Sequence, residues 1–231
     1  MRIWDINPGY LNRQSLLGEH RELHGIVSII KNHKKGYSNH PETLRWMGYG
    51  WALRQRHRLL AAEMSLRGYT DHSPVNLRSN VEQWPETFID LPHLQFELLR
   101  HKYSGKENGR IALPKTAQDL WRQHKYSVLA RDRLLYKKFD GMILGSATDH
   151  YFSDLSSQFT VILRQRPSSE GISYSLAKMW ESVFASSSGN KPNTNNWTPK
   201  RMLKETQRLA KSFDAADLMT STALSELESW I

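Results

Sequence analysis

A nucleophile, an electrostatic clamp and a carboxylate can be read from the first two dozen residues of the chain. They are carried by Met1-Arg2-Ile3-Trp4-Asp5 and, further on, by Glu19-His20-Arg21-Glu22-Leu23. Arg2 is too large for the usual removal of an initiator methionine, so Met1 is expected to be retained and its α-amine to be the N-terminus. An α-amine titrates near roughly 7.7 to 8.0, against about 10.4 for a lysine ammonium, so part of it is neutral and nucleophilic near neutral pH without burial. Glu22 and Glu19 are the carboxylates that a fold could bring to it, and Arg2 and Arg21 are the cations beside them.

These groups need a short arm and a helix. Asn7-Pro8-Gly9-Tyr10 is turn chemistry, and Asn12 or Ser15 can cap a helix running to about Asn32. Met1 then lies on a non-helical arm. Leu16, His20, Leu23, Val27 and Ile30 keep the apolar spacing of one helix face. On that wheel Leu23 is central, Glu22 falls on the flank where a carboxylate can be half desolvated and face a cleft, and Arg21 points to the polar side. Glu19 lies nearer the stripe and remains the rival candidate.

The run Met1-Arg2-Ile3, a polar turn, then Glu19-His20-Arg21-Glu22-Leu23 resembles the pyrimidine-dimer DNA glycosylase (endonuclease V-like) family. The resemblance implies that the N-terminal amine attacks the sugar C1′ of a damaged nucleotide and forms an imine, assisted by the glutamate of an Arg-Glu-Leu stretch. Met1 and Glu22 match those two catalytic groups, and Arg2 and Arg21 match arginines that hold the DNA backbone. Where the family's pattern has a further arginine, three residues beyond the glutamate, this chain has Gly25, with His24 as a possible substitute. Lys31, His33, Lys34, Lys35 and His40 around Gly36 and Tyr37 suit a loop touching phosphates, a solvated loop being the alternative, and the similarity of Lys35-Gly36-Tyr37-Ser38-Asn39-His40-Pro41 to a segment of bacterial members favours contact with DNA.

The formal charge of +9 and a pI near 9.7 over 231 residues favour polyanionic partners, because neutralising phosphates releases counterions. A hydrophobic content of 39% is enough to build a real core. The absence of cysteine excludes disulfides and thiolate metal sites. No run reaches the roughly 18 apolar residues of a membrane span, and no signal peptide is evident. A cytoplasmic, nucleoid-associated protein is expected, with no metal or cofactor.

Asn39 can cap a second helix from Pro41, with Leu44, Met47 and Trp51 at core-like spacing before Gly48 and Gly50 break the pattern. Arg54, Arg56, His57, Arg58 and Arg67 then decorate a helix whose apolar side is Leu53, Leu59, Leu60 and Met64. Arg54 and Arg58 are its candidate DNA contacts, a solvated face being the alternative. Trp46, Tyr49 and Trp51 suit a core or base stacking. Residues 71–92 read as an irregular connection, 93–103 as a helix, and 103–114 as a basic inter-domain loop.

From Thr116 a capped helix begins, and Gln118 to Asp140, with His124-Lys125-Tyr126 and Tyr136-Lys137-Lys138-Phe139, resembles the opening of the YbgA-type domain of unknown function. Leu163-Arg164-Gln165-Arg166-Pro167-Ser168 and a helix from Leu176 to Phe184 extend the likeness. Trp121 and Ala177 stand where that family's pattern has histidines. A competing alignment assigns Lys125 and Arg131 to the glycosylase's own DNA surface. Residues 185–200 read as a mobile loop, and Met202 to Phe213 and Leu218 to Trp230 as a final helix pair.

The expectation is an all-α protein with a glycosylase-like domain over 1–112 and a helical YbgA-like domain over 113–231. Its activity would be that of a monomeric repair glycosylase and AP lyase, acting on double-stranded DNA with damaged or modified pyrimidines such as UV dimers. A non-catalytic DNA- or RNA-binding protein, or an adaptor, is the alternative.

Overall fold

Asn12 accepts the Ser15 N–H at 2.9 Å and so starts α1, Arg13–Asn32, which ends where His33 turns into the left-handed region at φ 49°. This is the longest helix of a computed structural model that describes residues 1–144, 151–185, 192–194 and 196–231. The buried face of α1 is Leu16, Glu19, Leu23, Ile26 and Ile29, while His20, Val27 and Ile30 are half-buried. The stripe is therefore rotated from the expected one so that Glu19 lies inside it. Among the described residues every regular element is helical and the fold is all-α. None of these helices is long and apolar enough to cross a membrane.

The chain separates into two compact units, Met1–Gly109 and Arg110–Ile231. In the first, α2 is Pro41–Trp46 and is capped by His40, not Asn39: the imidazole Nδ1 accepts the Glu42 N–H at 3.1 Å. The helix stops at Met47, and Gly48 takes φ +88°, which L side chains rarely adopt. That break changes the phase of the pattern. Thr43 and Trp46 face inward, whereas Leu44 and Met47, read as core from their spacing, are each 51% exposed. Trp46 and Trp51 pack edge-on against Trp84, with centroids 6.3 and 6.2 Å apart, so both belong to the core rather than to a base-stacking surface.

The central helix, α3 (Gly50–Leu66), buries Leu53, Leu59, Leu60 and Met64 as the sequence suggests, and also Gln55, Arg56, His57 and Glu63. A helix enclosed on nearly all sides must pair its charges internally. The irregular segment 67–91 is tied back to it, with Trp51 N–H donating to Ser79 O at 2.9 Å. The last helix of this unit is α4, Pro92–Lys102; its Phe96 meets Tyr10 edge to face at 4.9 Å.

In the second unit, Thr116 and Asp119 form a capping box that opens α5, Ala117–Leu129. Around α5 pack α6 (Arg133–Leu144), α7 (Phe152–Arg164) and α8 (Ser169–Ala185), followed by α9 (Pro199–Ser212). Gly171 permits the closest approach: a Cβ there would lie 2.0 Å from Ala130 O. Part of the loop read at 185–200, residues 186–191 and 195, lies outside the described residues. The expected helix from Leu218 to Trp230 is instead three short turns, α10 (Ala216–Met219), α11 (Ala223–Glu226) and a 3-10 turn at Leu227–Trp230. Thr220, Ser221 and Thr222 cause the interruption. Thr220 Oγ1 bonds back to Ala216 O, and Thr222 N–H leaves the helix to donate to Gln123 O.

His124 is sealed beneath this unit's aromatic core, stacked on Phe159 at 5.4 Å with Nδ1 2.8 Å from Leu120 O. Burial pushes its pKa down to about 4. Because the folded value lies below the unfolded one, the stability it contributes is complete above the ordinary histidine value and is lost as pH falls toward 4. Between about pH 7 and pH 5 that loss amounts to about 2 kcal/mol. Urea unfolding should therefore show a loss of stability over this interval that is about 2 kcal/mol smaller for His124→Phe, which keeps the stack. An equal loss in both proteins would remove His124 as the cause.

Candidate active site

An extended arm with no neighbouring strand has to satisfy its backbone N–H groups with side chains. Here Arg2 N–H donates to Glu22 Oε2 at 2.5 Å, Trp4 N–H to Glu19 Oε1 at 3.2 Å, and Asp5 N–H to Gln95 Oε1 at 2.8 Å. Glu19 and Glu22 share one side of α1 because three residues nearly complete a helical turn. The arm thus runs antiparallel to the helix, with Met1 at its head beyond Glu22. Ile3, Trp4 and Ile6 are buried and hold it down. The Met1 side chain lies over Gly25, its sulfur 3.9 Å from where a Cβ would stand.

The two glutamates have different surroundings. Glu19 is buried and receives Arg56 Nε at 2.7 Å and a terminal nitrogen at 2.9 Å, while the third Arg56 nitrogen donates to Ile6 O at 2.8 Å. Burial raises its carboxyl above the ordinary value, against the pull of Arg56 and the Trp4 N–H. Glu22 is half-buried and accepts the Arg2 N–H. It borders a cleft of about 230 Å³ with Arg2, Trp4, Glu19, Arg21 and Lys102. Arg2 does not stand free in that cleft: its guanidinium pairs with Asp90 at 2.6 Å and lies over the Trp4 ring at 4.3 Å.

The remaining expected DNA contacts divide into outward and inward groups. Arg21, Lys31, Lys34 and Lys35 are exposed, with Lys34 Nζ donating to Ser28 Oγ at 2.8 Å, and His40 is committed to its cap. Arg54 and Arg58 stand one turn apart on α3. Desolvation and the nearby charges of Arg58 and Arg78 hold the Arg54 guanidinium below its ordinary value. Arg56, grouped with them by sequence, turns inward to Glu19.

Arg131 is a correction. Its side chain is 2% exposed, pairs with Glu226 at 2.6 Å and donates to the carbonyls of Ser127, Leu163 and Gln165, so the guanidinium is committed inside the unit. Lys125 pairs with Asp217 at 2.8 Å.

His24 is drawn into a different arrangement. His20 and His24, one turn apart on α1, meet His57 of α3 with ring centroids 4.7, 4.9 and 5.0 Å apart. Asp71 closes the group, with Oδ1 3.2 Å from His20 Nε2 and Oδ2 3.5 Å from His57 Nε2. Burial pushes His57 down to about 4, opposed by Asp71 and reinforced by the other two imidazoles, and burial likewise lowers His24. The sequence reading missed Asp71, Asp90, Gln95 and the role of Arg56. The His20-x-x-x-His24 spacing was its one available signal for the histidine cluster.

The family model for pyrimidine dimer DNA glycosylase matches residues 1–77, one third of the chain. That span holds the arm, α1, α2, α3, both glutamates and the histidine cluster, and stops short of Asp90 and Gln95. No curated protein and no solved structure matches the chain.

The Arg56–Glu19 pair lies inside the unit, so removing either partner strands a buried charge. Arg56→Met should cost roughly 3–5 kcal/mol in urea unfolding, and Glu19→Leu combined with Arg56→Met should restore much of it. If the double variant is as unstable as the sum of the singles, the pair is not what joins these elements.

Proposed function

We propose that the first unit is a DNA glycosylase with associated AP lyase activity, excising damaged or modified pyrimidines such as UV dimers from double-stranded DNA. The observation that carries this reading is the hydrogen bond from Arg2 N–H to Glu22, which holds a half-desolvated carboxylate one peptide away from the Met1 amine. The family match over the same residues supports it.

In this reading the neutral Met1 amine attacks C1′. A C–N bond forms and the base leaves with the electron pair of the glycosidic bond. Glu22 stabilises the positive charge that develops on the sugar. Opening of the C1′–O4′ bond then yields the imine, and loss of a C2′ proton expels the 3′ phosphate by β-elimination, with Glu22 moving protons. Reaching C1′ requires the nucleotide to be distorted out of the stack, held by cations on the flanking phosphates. Arg21, Lys31, Lys34 and Lys35 are available for that task, and Arg2 joins them by sharing its charge between Asp90 and the DNA. Arg54, Arg58 and Arg78 form a cluster of like charges that gains most from phosphate. Lys125 and Arg131 pair with Asp217 and Glu226, and His24 packs against His20 and His57, so this reading does not assign the three to the DNA surface. DNA as substrate makes the nucleoid the place of work.

Incubation with dimer-containing and abasic duplexes and borohydride should trap one covalent adduct, mapped to Met1. An uncleaved N-terminal extension or N-acetylation should abolish trapping while leaving binding nearly intact. An adduct on a lysine would move the nucleophile elsewhere. Glu22→Gln should keep fold and binding and lose most excision, whereas Glu19→Gln should lower stability first. Neutralising Arg54 and Arg58 together should make log K against log salt shallower by up to about two units. An unchanged slope would return them to solvent.

A further inference from the structure

Three imidazoles and one carboxylate converge where α1, α3 and the segment after α3 meet. A hydrogen-bonded structural cluster accounts for part of this geometry: Asp71 directs one oxygen toward His20 and the other toward His57, and takes the Ser73 N–H at 3.0 Å. It does not account for His24. The Nε2 atoms of His24 and His57 are both enclosed: that of His24 has no hydrogen-bond partner, and that of His57 has only Asp71 Oδ2 at 3.5 Å, outside hydrogen-bond geometry. A buried polar nitrogen without a partner is destabilising, and two beside a carboxylate call for a common ligand.

The spacing suits a metal ion. The three rings form a nearly equilateral triangle with sides of 4.7, 4.9 and 5.0 Å. Imidazoles bound tetrahedrally with about 2.0–2.1 Å from nitrogen to metal have ring centres roughly 5 Å apart. One ligand atom from each of the four residues can be chosen so that all lie within 4.8 Å of one another. Tetrahedral coordination would bring them to roughly 3.3–3.5 Å, a contraction that small side-chain rotations supply.

We propose that His20, His24, His57 and Asp71 bind one divalent first-row transition ion, Zn²⁺ by preference, in a four-coordinate site. A donor set of three imidazoles and one carboxylate selects such an ion over Mg²⁺ or Ca²⁺, which take oxygen ligands. The absence of cysteine removed thiolate sites from consideration and left this one open. With four protein ligands the ion is structural: it clamps α1 to α3 and to the segment carrying Asp71. It stays clear of the chemistry proposed for Glu22, which is two residues from both His20 and His24 and so projects from the far side of α1.

The test uses the full chain, stripped with a chelator and reloaded with Zn²⁺ or Co²⁺ alone. After gel filtration one Zn²⁺ per chain should remain, and Co²⁺ should give the intense visible absorption of a tetrahedral ion. In the Co²⁺ protein the ring protons of three histidines should be paramagnetically shifted, a readout that needs no variant. Asp71→Asn and His24→Gln should each weaken Zn²⁺ binding by about tenfold or more, with helicity checked by circular dichroism. His72→Ala, an exposed neighbour of Asp71, should leave binding unchanged. Loss of all Zn²⁺ on gel filtration, a weak six-coordinate Co²⁺ spectrum, or folded variants that bind as tightly as the native chain would overturn the site. None of these measurements involves DNA, so their failure leaves the glycosylase reading standing.

Discussion

The first unit depends on one buried ion pair. Glu19 occupies a position in the apolar stripe of α1 where a carboxylate is costly, and Arg56 of α3 reaches it through two nitrogens while a third holds Ile6 O. The Trp4 N–H adds a further bond to the same carboxylate. Arm, α1 and α3 thus meet at one carboxylate and one guanidinium. Apolar contacts alone would let an extended arm slide along a helix, whereas bonds of defined direction set its register, and with it the distance of Glu22 from the head of the chain.

That constraint separates two glutamates three residues apart. Glu19 is consumed by structure, whereas Glu22, one turn further along the same side of the helix and only half-buried, keeps a carboxylate facing a cleft. The second unit uses the same device for a different purpose. Arg131 and Glu226 form a buried pair, with Trp230 Nε1 donating to the same carboxylate, and hold the chain's last turns against α5. A formal charge of +9 therefore overstates any single basic surface. Part of the cationic count is internal, and the cations turned outward in the first unit concentrate after α1 and around Arg54, Arg58 and Arg78.

The crowding of α3 explains why so much chemistry collects in the first unit. A helix buried on nearly all sides has to find a partner for each polar side chain it buries. Arg56 finds Glu19, and Glu63 finds Arg67 at 2.7 Å. His57 finds two other imidazoles and Asp71, a group whose need for a ligand follows from the same rule.

Much of this was legible along the chain because it depends on local periodicity and caps. The all-helical class, the start of α1 at Asn12, the flank position of Glu22 and the capped start of α5 at Thr116 follow from residue spacing and from side chains that reach only a few residues. The Arg21-Glu22-Leu23 resemblance likewise rests on contiguous residues. What the sequence could not decide were partners distant along the chain. Nothing near Arg131 announces Glu226, nothing near Arg2 announces Asp90, and the Arg56 side chain reads like Arg54 and Arg58 until α1 is packed against α3. Helix phase beyond a break is equally hidden: Gly48 resets it, so Leu44 and Met47 face out while Trp46 faces in. A cation on a helix has the same local signature whether it meets water, phosphate or a buried carboxylate, and only tertiary packing, by choosing which face loses its water, decides among them.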